Sequence, residues 1–169
     1  RDTVKQDPTL RSGTGANTVG AVTTPLGPID SMLDDLRTLV DGAGVRLHLD
    51  GARLWNAHIA TGVAIDTYGS LFDTVSVCLS KGMGAPVGSV LVGPADAIAQ
   101  ARQWRKRMGG GWRQAGVLAA AGLYALDHHV DRLADDHENA RVLADILADS
   151  GAVDPADVET NVVMLDLSG

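Results

Sequence analysis

Short apolar runs alternate with helical segments along the chain, and this alternation limits the fold more than any other feature of the sequence. Alternating valines and polar residues predict a strand over residues 74–79, and apolar runs predict further strands over residues 45–49, 88–92 and 161–167. Helical spacing of apolar residues predicts helices over residues 30–40, 53–61, 94–108, 114–128 and 130–150. Strands that alternate with helices are typical of an α/β domain with a mostly parallel sheet, which binds its ligands at the carboxyl ends of the strands.

Charge and cysteine content argue against several classes of function. The chain of 169 residues has 14 Lys and Arg against 21 Asp and Glu, a formal net charge of −7. This balance argues against binding to nucleic acid or to an anionic membrane surface, and no apolar run approaches the roughly 18 residues of a membrane span. The single cysteine, Cys78, has no partner for an internal disulfide and is expected to pack in the core. The start of the chain shows no export leader, so a cytoplasmic location is expected.

Two polar residues follow predicted strands, where α/β sheets bind their ligands. Asp50 follows the strand over residues 45–49, and Lys81 follows the strand over residues 74–79. Small residues come directly after Lys81 and leave room for a flat cofactor. A lysine amine and a neighbouring carboxylate suit pyridoxal phosphate, because this cofactor withdraws electrons only while its pyridine nitrogen stays protonated. Taken singly, however, the aspartate is better explained as a helix cap and the lysine as a solvated charge.

Three segments resemble the low-specificity L-threonine aldolases, members of the β-eliminating lyase group within the fold-type I pyridoxal phosphate enzymes. These segments are residues 48–57 (HLDGARLWNA), 80–89 (SKGMGAPVGS) and 104–114 (WRKRMGGGWRQ). The resemblance implies that Lys81 binds pyridoxal phosphate covalently, that Asp50 pairs with the pyridine nitrogen, and that Arg53 binds the substrate carboxylate. The last role also makes physical sense by itself, because a guanidinium holds a carboxylate through two parallel hydrogen bonds.

The same resemblance implies a reaction, an assembly and a domain organisation. Similar family members cleave the Cα–Cβ bond of L-threonine, allo-threonine and related β-hydroxy-α-amino acids to glycine and an aldehyde. They are homo-oligomers, arranged as dimers of dimers, in which each active site takes residues from two chains. By this resemblance residues 1–130 form part of a cofactor-binding large domain, and residues 131–169 begin a smaller C-terminal domain.

The beginning of the chain departs from the family pattern. Residues 12–17 resemble the turn that receives the cofactor phosphate, which assigns phosphate binding to Gly13 and Thr14. An alternative alignment places residues 17–19 (NTV) on a family segment that carries a histidine close to the substrate hydroxyl. In either alignment, neither that histidine nor the one that stacks on the pyridine ring has a counterpart. The resemblance therefore implies an incomplete chain.

Two other functions stay open. Another lyase or a racemase of the same fold would act on a different bond of a similar amino acid. A shortened, inactive homologue would instead serve as a structural partner of a complete subunit. The visible absorbance of covalently bound cofactor would separate an enzyme from such a partner.

Clusters of charged residues and histidines have plainer explanations. Five basic residues either form a solvated helix end or bind an anion at a subunit interface: Arg102, Arg105, Lys106, Arg107 and Arg113. His128, His129 and His137 match no compact zinc pattern, so their spacing predicts a solvated helix face and no metal site. His48 lies between two leucines of a predicted strand and is expected to be a buried histidine with its hydrogen bonds satisfied.

Overall fold

The computed structural model describes residues 28–168, with side chains from residue 33 onward. This part of the chain forms the helices α1 (Pro28–Ala43), α2 (Leu54–Thr61), α3 (Ile65–Ser70), α4 (Ala95–Arg107), α5 (Ala115–His128) and α6 (Leu133–Leu147). Its strands are β1 (His48–Gly51), β2 (Thr74–Cys78) and β3 (Ser89–Val92), and short 3-10 turns cover Ala148–Ser150 and Pro155–Asp157. The predicted α/β class is confirmed. Of the helices described here, none is long and apolar enough to cross a membrane.

The three described strands form one mixed sheet in the order β1-β2-β3. Strands β1 and β2 are parallel, with Asp50 opposite Ser76, and α2 and α3 make the crossover between them. Strand β3 runs antiparallel to β2, with Leu91 opposite Ser76. The parallel pair therefore directs the carboxyl ends of β1 and β2 to the same edge of the sheet, which positions the candidate site.

The two faces of the sheet differ in burial. Val75 and Val77 of β2 point to one face, where they pack in a core with residues of the crossover: Leu54, Val63 and Tyr68. On the other face His48 is exposed, and its Nδ1 lies 2.8 Å from Thr74 Oγ1. The expectation that His48 is buried was therefore wrong, because strand alternation turns it away from the packed face.

A second core joins the segment after β2 to the helices α5 and α6. It consists of Leu79, Met83, Ala85, Ala125 and Leu133, and both Met83 and Leu133 are only 1% exposed. A third, smaller core packs α6 against the segment that follows it, through Ala140, Ala144 and Val158. The helices at the end of the described chain therefore support the segment that carries Lys81.

Strand β1 begins later than the sequence predicts. The Asp73 carboxylate accepts a hydrogen bond from the Leu47 backbone N–H at 2.7 Å and one from Arg37 Nη1 at 3.0 Å. These bonds hold the pKa of the Asp73 carboxyl below its usual value. Residues 45–47 precede the ladder, which instead continues to Gly51 opposite Val77. Asp50 is consequently the third residue of the strand, and its predicted place after the strand was wrong.

Two further differences concern short segments. The predicted strand over residues 161–167 is absent from the described structure: Val163 packs beside α6, and the Asp166 N–H donates to the Ala152 carbonyl at 2.8 Å. Val163 therefore packs against a helix instead of joining a sheet, while Met164, Leu165 and Leu167 are exposed. Helix α3 has only six residues with a glycine among them, too short for a periodic signal.

Candidate functional site

Asp50 lies at the carboxyl end of β1, on the less buried face of the sheet. Its side chain is exposed, and Oδ1 accepts a hydrogen bond from the Ala52 N–H at 3.2 Å. The next residue, Gly51, allows the two strands to approach closely, since a Cβ there would lie 2.9 Å from the Ser76 carbonyl oxygen. The strand pairing thus fixes the Asp50 backbone while its carboxylate stays accessible.

Lys81 lies three residues beyond β2 in a turn closed by backbone hydrogen bonds. The Gly84 N–H donates to the Lys81 carbonyl at 2.8 Å, and the Ala85 N–H donates to the Leu79 carbonyl at 2.9 Å. Gly84 has a φ of +72°, a left-handed conformation that favours glycine. Inside the turn Met83 is buried, whereas the Lys81 side chain is exposed. The turn therefore presents the amine outward from a fixed backbone.

Arg53 follows β1 at the same edge of the sheet. It is the residue before α2, its side chain is exposed, and its carbonyl accepts the Ala57 N–H at 3.1 Å. The start of α2 is held against β2 because Trp55 Nε1 donates to the Cys78 carbonyl at 3.1 Å. Arg53 therefore projects from a helix start that is anchored next to the Lys81 turn.

Cys78 is half-buried at the end of β2 and does not pack in a core, so the expectation of core packing was wrong. Its Sγ lies 3.3 Å from Ser80 Oγ. This hydrogen bond lowers the pKa of the Cys78 thiol. Alternation along β2 turns the thiol to the same face as Ser76, away from the apolar core.

The structure brings Asp50, Arg53 and Lys81 to one edge of the sheet, at the carboxyl ends of two adjacent parallel strands. An amine that can bond to an aldehyde and a carboxylate that can hold a pyridinium proton are what pyridoxal phosphate requires of its protein. Both side chains are exposed and small residues surround Lys81. The residues present thus fit this cofactor. Gly13 and Thr14 lie outside the described residues.

The basic cluster lies on α4 and in the segment directly after it. All five of its side chains are exposed, and Arg105, Lys106 and Arg107 occupy the last helical turn, where positive charge stabilises the helix dipole. Arg107 also lies over the Trp104 ring, 5.2 Å from its centroid. These contacts fit a solvated helix end, and anion binding by the cluster stays a prediction.

The histidine cluster is not one solvated face. His128 is exposed, but His129 is half-buried and His137 is buried with its Nε2 3.1 Å from Asn56 Nδ2. Burial lowers the pKa of His137, so its neutral ring accepts the hydrogen bond that Asn56 donates. The prediction of a solvated face was wrong for His137 because α6 packs on α2.

Comparison with known proteins assigns the family. The model of the beta-eliminating lyase family matches residues 11–169. The chain belongs to this family. It is 49% identical over 119 residues to the low specificity L-threonine aldolase of Escherichia coli strain K12, and 48% identical over 123 residues to the low-specificity L-threonine aldolase of Candida albicans.

These matches cover 70% and 73% of the chain but 35% and 33% of the two relatives, so the chain spans about a third of their length. Among solved structures, one from Listeria monocytogenes EGD-E, described as a candidate L-allo-threonine aldolase, superposes with a TM-score of 0.71 at 28% identity. That superposition covers 79% of this chain and 38% of the other. Sequence and structure comparisons therefore agree on the predicted family.

Sequence reasoning missed two hydrogen bonds that support the site. One is the buried Asn56–His137 pair, and the other joins His129 Nδ1 to the Met83 carbonyl at 2.7 Å. A signal for His137 was present, since it lies between Leu133 and Ala140 on the buried stripe of α6. Nothing in the local sequence indicates the contact of His129, because its partner is a backbone atom 46 residues away.

Proposed function

We propose that the protein carrying this chain is a pyridoxal phosphate-dependent lyase that cleaves the Cα–Cβ bond of L-threonine, L-allo-threonine and related β-hydroxy-α-amino acids to glycine and an aldehyde. The observation that carries the proposal is the placement of Lys81 and Asp50 at the carboxyl ends of adjacent parallel strands in a chain of this family. The relatives' names support the substrate class.

Lys81 is the residue that binds the cofactor covalently. Its exposed amine extends from a turn whose backbone is hydrogen-bonded at the residue itself, so the bond to the cofactor aldehyde forms at a fixed point. When bound there, pyridoxal phosphate supplies an electron sink for the electrons released at the substrate Cα. Because the amine would be the point of attachment, removing it should abolish both covalent binding and turnover.

Asp50 holds the proton on the pyridine nitrogen. A carboxylate next to that nitrogen favours its protonated form, which is the form that withdraws electrons. The hydrogen bond from the Ala52 N–H occupies one carboxylate oxygen and leaves the other for this role. The exposure of Asp50 on the less buried face of the sheet supports this assignment.

Arg53 binds the substrate carboxylate. Its planar guanidinium donates two parallel hydrogen bonds, so it fixes the orientation of the amino acid as well as its position. Orientation decides which bond at Cα lies perpendicular to the cofactor ring, and for this reaction it is the bond to Cβ. Arg53 thereby contributes to the choice of reaction as well as to affinity.

Binding of the cofactor phosphate by Gly13 and Thr14 remains part of the proposal, as does the division of the chain at residue 130. We further propose that the protein is cytoplasmic and that it assembles as a homo-oligomer, a dimer of dimers. Apolar side chains exposed along α5 support the assembly: Val117, Leu123, Tyr124 and Leu126. The location is supported by the single cysteine, which cannot form a disulfide within this chain. Sedimentation velocity would measure the assembly directly.

The test is a product assay of the protein loaded with pyridoxal phosphate. We expect L-threonine and L-allo-threonine each to yield glycine and acetaldehyde in a 1:1 ratio. The Lys81→Ala variant should form neither product. A racemase would yield D-threonine instead, and a different lyase would yield a keto acid with ammonia. An inactive structural partner would show neither turnover nor visible absorbance of covalently bound cofactor. Each of these three results would contradict the proposal.

A further inference from the structure

The turn that carries Lys81 is tied to the end of α5 by a side chain. Residues 80–85 bond among themselves and to the end of β2 through backbone groups. Side-chain hydrogen bonds reach these residues in the described part of the chain from Cys78 at the end of β2 and from His129, whose Nδ1–H donates to the Met83 carbonyl at 2.7 Å. This bond therefore connects the turn to a helix that is remote in sequence.

His129 is itself held in place. Its backbone N–H donates to the Ala125 carbonyl at 2.8 Å, which makes it the capping residue at the end of α5. The Tyr124 ring packs edge-on against the imidazole, with centroids 5.5 Å apart. Its Nδ1 also lies 3.5 Å from the position that a Cβ of Gly84 would take. The helix end thus fixes the backbone of His129 and Tyr124 packs against its ring, so the imidazole is held where it binds the Met83 carbonyl.

The Met83 carbonyl is close to Lys81 along the turn. Met83 is two residues after Lys81, and the Lys81 carbonyl is bonded to Gly84, the residue after Met83. Movement of the Met83 peptide would therefore disturb the bond that closes the turn at Lys81. Burial of the Met83 side chain restrains the same residue.

We propose that His129 is a positioning residue for Lys81: through the Met83 carbonyl it holds the turn in the conformation that presents the lysine amine to the cofactor. The inference rests on the proposed function, in which Lys81 binds pyridoxal phosphate. His129 itself contacts neither cofactor nor substrate in this role. Its effect is to keep the amine in place before the cofactor arrives.

Four variants test the proposal. His129→Ala removes the donor. His129→Asn restores a donor, because the Asn side-chain NH₂ occupies nearly the place of Nδ1, and His129→Leu fills similar space without a donor. The matched control is His128→Ala, an exposed neighbour on the same helix end. If His129→Ala does not fold, His129→Asn and His129→Leu still compare a side chain that has a donor with one that has none. Both side chains fill most of the space of the imidazole.

Two measurements are made on each variant. The dissociation constant of pyridoxal phosphate is obtained from its absorbance change, and hydrogen–deuterium exchange of residues 82–85 is followed without cofactor. We expect His129→Ala and His129→Leu to weaken cofactor binding by roughly fivefold and to speed exchange in this segment, the effect of one lost hydrogen bond. His129→Asn and His128→Ala should match the unmodified protein in both measurements.

Each other outcome overturns the inference. Unchanged exchange in His129→Ala would show that the bond does not hold the turn. Faster exchange with unchanged cofactor affinity, or no rescue by His129→Asn, would show a merely structural role. The unmodified protein is also reduced with borohydride in the presence of cofactor. If Lys81 then carries no pyridoxyl group, the proposed function fails together with this inference. If Lys81 is labelled but the His129 variants change neither cofactor affinity nor exchange, the inference alone is overturned.

Discussion

The two strand ends that form the candidate site are stabilised differently. Beyond β2, the turn with Lys81 is closed by backbone hydrogen bonds, anchored by His129 and packed on Leu133 and other residues of α5 and α6. At the end of β1, Asp50 is exposed and accepts one hydrogen bond from its own segment. The difference shows that packing and hydrogen bonds fix the backbone of the Lys81 turn, while the Asp50 carboxylate stays accessible.

This contrast separates effects on chemistry from effects on stability. A substitution at the end of β1 removes a functional group without disturbing a core, so activity should change while the free energy of unfolding does not. A substitution beneath the Lys81 turn disturbs buried contacts, so the free energy of unfolding should change first. The four substitutions that follow test this separation, from the largest expected effect to the smallest.

Asp50→Asn should lower kcat by about 10³-fold, because the amide keeps the shape but no longer favours the proton on the pyridine nitrogen. The unfolding midpoint should stay the same, since the Asn oxygen still accepts the Ala52 N–H. Steady-state kinetics and urea denaturation measure the two quantities. Near-normal turnover would show that Asp50 only accepts the Ala52 N–H.

Leu133→Ala should lower the free energy of unfolding by about 2–5 kcal/mol, because it opens a cavity against Met83 under the Lys81 turn. The matched control is Leu123→Ala on α5, where the side chain is 63% exposed. That substitution should change the free energy by no more than about 0.5 kcal/mol in the dissociated protein. If both substitutions lowered the free energy of unfolding equally, packing beneath the Lys81 turn would contribute no more to stability than the exposed face of α5.

Gly82→Ala should lower the free energy of unfolding by about 1–3 kcal/mol, since the added Cβ would lie 2.5 Å from Leu133 Cδ2 in a filled core. Gly116→Ala is the control: a Cβ there meets open space inside α5, and the change should stabilise the protein by about 0.5–1 kcal/mol. Urea denaturation of both variants gives the comparison. A tolerated alanine at position 82 would mean that the turn is not tightly packed.

Arg53→Lys should raise KM for L-threonine more than about tenfold, because a lysine cannot form two parallel hydrogen bonds with the carboxylate. The unfolding midpoint should be unaffected, since the Arg53 side chain is exposed. Initial rates over a range of threonine concentrations measure KM. An unchanged KM would assign carboxylate binding to another residue.

Periodic segments made most of the fold predictable. The crossover helix α2 and the long helices α4, α5 and α6 follow from apolar spacing, and β2 follows from its alternating valines. The start of β1 was not predictable, because the Asp73 carboxylate that binds the Leu47 N–H is 26 residues away. The same limit applies to residues 161–167, whose pattern suits a strand but whose neighbours are the residues of α6.

The candidate site shows the same division. Lys81, Asp50 and Arg53 could be selected because each lies at or just beyond the end of a strand within a specific motif, and the structure brings all three to one edge of the sheet. The residues that support them could not be selected, because they act through hydrogen bonds to backbone atoms or to buried side chains distant in sequence. His129 and His137 were both assigned to a solvated face, although one binds the Met83 carbonyl and the other binds Asn56.

The most direct test of the central claim is to identify the residue that binds the cofactor. The protein is incubated with pyridoxal phosphate, reduced with borohydride, digested and mapped by mass spectrometry. We expect the pyridoxyl group on Lys81 and its loss in the Lys81→Ala variant. A pyridoxyl group on Lys5 or Lys106, or none at all, would contradict the account.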